Sequence, residues 1–276
     1  MISILEKLFK GKSEQASEQI VSQYQKNWFT IVNFIYFAVV SAQKVFGSHG
    51  KTARQKEYKK IILKSDFLLP DGIALQIFYF FARIFRRVKW RTYRLDNLNW
   101  TDFTRYFLEY IKTKFGNQKI CLLMFGTEPA FLEKAKDYIS YRWYNVIYTQ
   151  DGFSTFNNKK WFSELNRQKV KEALAWYQDT INILLVAMST AKSPRQELWT
   201  ADNLQEIKDH NLIVINTWWT FEWWAWTQKR SPKVIRAIKL GRLRRFIADP
   251  KRNYMKVYHS LSLFKYIFKY LLLKKD

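Results

Sequence analysis

The strongest constraint on the fold of this chain is an alternation. Unbroken apolar runs, such as Ile120 to Phe125, Ile181 to Ala187 and Leu212 to Ile215, are separated by stretches with helical periodicity. A strand that is apolar on every side chain must be covered on both faces, and a sheet between two helical layers does this. Strands that recur with a helix-length crossover between them pair in parallel. The expected class is therefore α/β, a Rossmann-like, mostly parallel sheet with helices on both faces, plus a basic helical C-terminal appendage.

Element by element, a mostly polar lead-in ends near Lys26, and Phe29 to Asn33 reads as the first buried strand. A helix is expected from about Phe34, interrupted at Gly47-Ser48-His49-Gly50 and resuming over Ala53 to Lys64. Asp66 to Leu69 is a short strand, and Ile73 to Phe85 a strongly apolar helix after Pro70-Asp71-Gly72. Thr101-Asp102 is expected to cap a helix reaching Phe115. Further strands are read at Lys119 to Phe125, Val146 to Tyr148, Ile181 to Ala187 and Leu212 to Asn216, with helices at Glu128 to Tyr141, Lys159 to Tyr177 and Pro194 to Lys208. In a parallel sheet the ligand edge is the carboxyl end of the strands. Asp71, Gly126, Asp151-Gly152, Gln196 and Trp218-Trp219 all follow predicted strands, so they should share one rim.

Charge narrows the partners. The formal net charge is +24, from 47 Lys and Arg against 23 Asp and Glu. Such an excess favours a polyanion: nucleic acid, an anionic membrane surface or a phosphorylated substrate. No nucleic-acid motif, Gly-x-Gly-x-x-Gly or P-loop is present. The single cysteine, Cys121, lies in an apolar run and reads as a small buried hydrophobe. His49, His210 and His259 lie far apart, which gives no support to a metal site or a Ser-His-Asp triad. No apolar stretch approaches the roughly 20 residues that span a bilayer, and no secretory signal is evident. A reducing, cytoplasmic setting is expected.

Residues 1–231 are expected to form the α/β core and 232–276 the appendage. Within the latter, Met255 to Lys275 places Leu263, Phe264, Ile267, Phe268, Leu271 and Leu272 at helical spacing among lysines. Such a helix either lies on an anionic membrane with its apolar face down or docks on the core or on a second copy of the chain.

Four markers occur in order: Pro70-Asp71-Gly72, Pro194-Arg195-Gln196-Glu197, Lys229-Arg230-Ser231-Pro232 behind Phe221-Glu222-Trp223-Trp224-Ala225, and Asp249-Pro250-Lys251-Arg252. Together they resemble the WecG/TagA/CpsF family of bacterial glycosyltransferases, over about Phe29 to Arg252. The resemblance implies inverting transfer of an N-acetylmannosamine-like sugar from a UDP-sugar to a polyprenyl-diphosphate-linked sugar at the inner face of the cell membrane. It implies neither metal nor cofactor.

Residue by residue, the resemblance makes Asp71 the catalytic base that takes the acceptor hydroxyl's proton. Asn33, at the end of the first strand, matches an active-site asparagine, although an alternative register would use Ser41 and Gln43. Thr101, Asp102 and Gly126 match substrate-binding positions, and Gln196 and Glu197 the donor-side pair. Arg230, Arg245 and Arg252 match appendage arginines suited to neutralising a diphosphate bidentately. Read locally, Asp71-Gly72 is also a plain turn, Gln196 and Glu197 are ordinary first-turn helix residues, and the arginines are a solvated basic face. A non-catalytic basic module binding anionic membrane or nucleic acid is the competing function.

The tryptophans depart from the pattern. At Trp100, Trp218, Trp219 and Trp226 the family pattern has glycine, and Trp28 stands where a helix would end in one. The chain holds 12 Trp and 8 Gly in 276 residues, well below the ~7% glycine of ordinary proteins. Recoded glycine codons, a membrane-interface aromatic cluster and a sugar-stacking platform are the three readings.

Overall fold

Six strands, all parallel, build the sheet in the order β2-β1-β6-β5-β3-β4. The computed structural model describes residues 2–37, 51–88, 95–152, 164–177, 179–188, 195–208, 210–225 and 263–273. The strands are β1 (Phe29–Tyr36), β2 (Phe67–Asp71), β3 (Ile120–Gly126), β4 (Asn145–Gln150), β5 (Ile181–Ala187) and β6 (Leu212–Asn216). The helices are α1 (Ile2–Lys7), α2 (Ser13–Asn27), α3 (Lys51–Lys64), α4 (Ile73–Ile84), α5 (Trp100–Phe115), α6 (Pro129–Ser140), α7 (Glu164–Ala175), α8 (Arg195–Asp202), α9 (Leu204–Lys208) and α10 (Thr220–Trp224). A last helix, α11, covers residues 263–272.

Burial follows the pleat. Leu122, Met124, Ile183, Leu185, Ile213 and Ile215 enter one core layer with α2, α5, α6 and α10. Their neighbours Leu123, Phe125, Leu184, Val186, Leu212 and Val214 enter the opposite layer, under α7, α8 and α9. A third cluster joins α1, α3 and α4 to Ile35, Leu68 and α11. The unbroken apolar strands thus have a helical layer on each side, as their composition demands. Phe34 on β1 meets Phe103 on α5 edge-on at 5.8 Å.

Three sequence expectations are corrected. No helix starts at Phe34: β1 continues to Tyr36, because Phe34, Ile35 and Tyr36 pair with Leu69, Pro70 and Asp71 of β2. Asn33 therefore lies inside the strand, three residues short of its end. Thr101 and Asp102 do not cap α5. Asn99 does, its side-chain oxygen accepting from the Asp102 amide at 3.1 Å while its Nδ2 donates to the Asp102 carboxylate at 2.7 Å. The stretch to Lys208 is two helices, α8 and α9, broken at Asn203, whose side-chain amide donates to the Trp199 carbonyl at 2.8 Å.

The connectivity opens one edge of the sheet. From β1 the chain passes to β2 on one side, and from β3 to β4 on the other. The connections part over β6 and β5, and the carboxyl ends of those central strands face the resulting crevice, where open parallel sheets bind ligands.

Candidate active site

Asp71 ends β2 directly opposite Tyr36 of β1. The turn behind it is fixed: the Gly72 amide donates to Asn97 Oδ1 at 2.6 Å, and the Leu98 amide to the Pro70 carbonyl at 2.8 Å. Gly72 has φ 86, a conformation open to glycine and costly for a side chain. These two bonds bring the N-terminus of α5, with Thr101 and Asp102, against the turn that carries Asp71.

From Tyr36 the rim continues through the loop after β6. The Tyr36 and Trp218 rings meet edge-on at 5.0 Å. The Trp218 backbone N–H donates to Gln196 Oε1 at 2.9 Å, and Gln196 Nε2 donates to Glu197 Oε1 at 3.1 Å. Asp71, Tyr36, Trp218, Gln196 and Glu197 thus stand on one edge of the sheet.

Beneath this rim runs a buried polar chain. Thr200 Oγ1 donates to Asn216 Oδ1 at 3.0 Å, Asn216 Nδ2 donates to Asn33 Oδ1, and Asn33 Nδ2 donates to Ser65 Oγ at 2.6 Å. Asn33, Ser65, Asn216 and Thr200 are all buried. Asn33 is a brace under the rim, tying β1 to β6 and to Ser65, two residues before β2. Sequence reading passed over Ser65, Thr200 and Asn216. A signal existed in the asparagine that closes Leu-Ile-Val-Ile-Asn, since a buried amide in an apolar strand needs a partner.

Glu197 is the unusual group. It is wholly buried, and burial pushes its carboxyl up to about 7. Its Oε2 has no hydrogen-bond partner among the described residues. Tyr58 of α3 is buried close by, its hydroxyl raised well above the usual range by burial first and then by the charges of Glu197 and Tyr36.

Gly126 lies further along the same edge. Its φ is 116, and a Cβ there would fall against the Ala187 carbonyl. The next residue, Thr127, has φ 57 and donates from Oγ1 to Glu222 Oε1 at 2.9 Å. The Gly152 amide donates to the Thr127 carbonyl at 2.8 Å, joining the ends of β3 and β4. Burial raises the Glu222 carboxyl as well. Thr127 and Glu222 were not anticipated as a pair.

Arg230, Arg245 and Arg252, and the alternative Ser41 and Gln43, lie outside the described residues. Among the described residues no three His, Cys, Asp or Glu side chains converge, and no helix is long and apolar enough to cross a membrane.

A comparison with family models adds the deciding observation. The model of the glycosyl transferase WecG/TagA/CpsF family matches residues 8–276, nearly the whole chain. The chain belongs to the WecG/TagA/CpsF family. No curated protein matches the sequence significantly. As a WecG/TagA/CpsF glycosyltransferase, the protein belongs to a family that works in cell-surface polysaccharide synthesis.

Proposed function

We propose that the protein transfers an N-acetylmannosamine-like sugar, with inversion, from a UDP-sugar to a polyprenyl-diphosphate-linked sugar at the cytoplasmic face of the membrane. Asp71 is the base. Its carboxylate takes the proton of the acceptor hydroxyl as that oxygen bonds to the anomeric carbon, and the bond from that carbon to the diphosphate breaks with UDP leaving. The diphosphate gains charge as it departs, and Arg230, Arg245 and Arg252 neutralise it, the part a metal plays elsewhere. Gln196 and Glu197 support the donor side from beneath, Gln196 holding the loop after β6, with Thr101, Asp102 and Gly126 lining the neighbouring edge.

The observation that supports this reading best is the continuity of Asp71, Tyr36, the backbone amide of residue 218 and Gln196 along one edge: β2 and β6 both pair with β1, and that amide donates to Gln196. These residues come from four separated parts of the sequence, and a base and a donor-side amide on opposite sides of the sheet could not serve one reaction.

Membrane attachment is assigned to α11 together with α4. Leu263, Ile267 and Leu271, one helical face, are buried against the core, whereas Phe264, Phe268, Leu272 and Leu273 are exposed. Phe80 and Ile84 of α4 are exposed too, and Lys265 and Lys269 are interleaved on α11. Aromatic and aliphatic side chains among lysines suit an anionic bilayer surface. The helix thus docks with one face and offers another.

The test is a screen of UDP-sugars with a polyprenyl-diphosphate sugar acceptor, comparing the natural chain with Asp71→Asn. The substitution should lower turnover by roughly 10²–10⁴-fold, the usual contribution of a general base. Turnover unchanged by Asp71→Asn would remove Asp71 from this role.

A further inference from the structure

Five residues other than glycine have positive φ among those described: Trp28, Arg86, Thr127, Trp143 and Trp218, at 55°, 52°, 57°, 67° and 58°. Three of the five are tryptophan. For a bulky L-residue this region is a genuine outlier, because Cβ crowds the following carbonyl; glycine enters it freely. In the same structure Gly72, Gly116 and Gly126 hold the other positive φ values. Tryptophan therefore shares with glycine a backbone role that its chemistry gives no reason to favour.

The local hydrogen bonding states what each position requires. At the end of α6 the Trp143 amide donates to the Ser140 carbonyl at 2.9 Å and the Tyr144 amide to the Ile139 carbonyl at 3.5 Å. That pair of bonds is a Schellman ending, and Trp143 occupies the left-handed position that is ordinarily glycine. At the end of α2 the Trp28 amide donates to the Tyr24 carbonyl, closing an αL ending with Trp28 at the same position. Arg86 shows that an unbranched side chain is tolerated at such a site after α4. Two indoles at equivalent sites need a different explanation.

Two of the three indoles are badly placed. Trp28 is 55% exposed and Trp143 76% exposed, so neither gains the burial that normally holds a tryptophan. Trp218 is buried beside Tyr36, and only its backbone marks it out. By contrast Trp199 has ordinary helical backbone, is 2% exposed and packs its ring on Phe125 at 5.3 Å.

We infer that positions 28, 143 and 218 are glycine in the protein the cell makes, specified by UGA codons that the cell reads as glycine. Tryptophan has one codon of its own, UGG, and UGA is its neighbour. A translation that assigns UGA to tryptophan writes an indole wherever such a cell inserts glycine. The excess of Trp over Gly, 12 against 8, has the same source. Trp100 begins a helix and Trp219 has φ −101, so the backbone makes no such demand there; Trp226 lies outside the described residues. Position 143 was not flagged by the sequence. The inference rests on backbone geometry and is independent of the glycosyltransferase reading. Its consequence for the site is direct: glycine at 218 keeps the amide that Gln196 holds and clears an indole from beside Tyr36, on the edge that carries Asp71.

Two measurements test it. The codons at 28, 143, 218 and 199 are read in the gene, and peptides spanning them are weighed from the protein isolated from its source organism. UGA with the mass of glycine is expected at 28, 143 and 218, and UGG with the mass of tryptophan at 199; UGG or an intact indole at the first three overturns the inference. Separately, the full chain is melted with Trp28→Gly, Trp143→Gly or Trp199→Gly. The first two should each raise Tm by ~2–4 °C and the third lower it. A fall in Tm at both 28 and 143 would also overturn it.

Discussion

The backbone amide of Trp218 donates to the side-chain oxygen of Gln196 across 2.9 Å of buried space, and this bond joins the loop after β6 to the helix after β5. Gln196 itself is fully buried and spends its other end on Glu197. Gln196→Ala would strand both the Trp218 amide and a carboxyl oxygen. An unsatisfied buried group costs about 1–3 kcal/mol, so the variant should lose at least about 2 kcal/mol in urea denaturation. A loss below roughly 0.5 kcal/mol, the scale of a surface change, would mean that the two loops are held by something else.

Glu197 carries a pH signature. Burial raises its carboxyl from the usual 4.5 to about 7 in the folded protein. Between those values the folded chain keeps a proton that the unfolded chain has released, so stability falls as pH climbs through this window and levels off above it. The span corresponds to roughly 3 kcal/mol. Tyr58, the buried neighbour, titrates far above this range and does not contribute. Glu197→Gln keeps the shape of the neutral acid and removes the titration. The difference in stability between Glu197→Gln and the natural chain should therefore grow in favour of the variant from pH 5 to pH 8. A difference that stays constant across that range would show that Glu197 is not held neutral by its surroundings.

Much of this architecture was legible because strands buried on both faces advertise themselves. Ile181–Ala187 and Leu212–Asn216 were read with their observed bounds, and the order of elements places the ligand edge without further information. Phe34 to Tyr36 failed because a short apolar run fits a helix or a strand equally well; pairing with β2 decided it. The brace beneath the site was invisible for another reason. Asn33 and Asn216 lie 183 residues apart, and no local pattern announces that two amides will meet. Trp143 escaped notice because Tyr-Arg-Trp-Tyr carries no glycine to mark a left-handed residue.

Glycine at 126 is required twice over, and the two requirements can be separated. Its φ of 116 strains any side chain, and a Cβ would also meet the Ala187 carbonyl and Met188. Gly116, with φ 82, has nothing within 4 Å of the same hypothetical atom. Gly116→Ala should therefore cost only the backbone term, about 1–2 kcal/mol. Gly126→Ala adds the clash and should cost roughly 2 kcal/mol more, and it should also impair turnover by shifting the ends of β3 and β5. Equal losses for the two variants in chemical denaturation would show that crowding at the β3 end is relieved by a small backbone shift.

The exposed face of α11 makes a prediction that separates docking from membrane binding. Phe264 and Phe268 are 66% and 57% exposed, while Leu263, Ile267 and Leu271 on the other side are buried. Phe264→Ser with Phe268→Ser leaves the docked face intact, so Tm should change little. If these rings enter the bilayer interface, each contributes on the order of 1.5 kcal/mol or more, about tenfold in partition. Sedimentation with vesicles rich in anionic lipid should then fall by roughly a hundredfold for the double variant, and added salt should weaken what remains by screening Lys265 and Lys269. Binding undiminished by the double substitution would place the membrane contact elsewhere on the protein and leave α11 as packing alone.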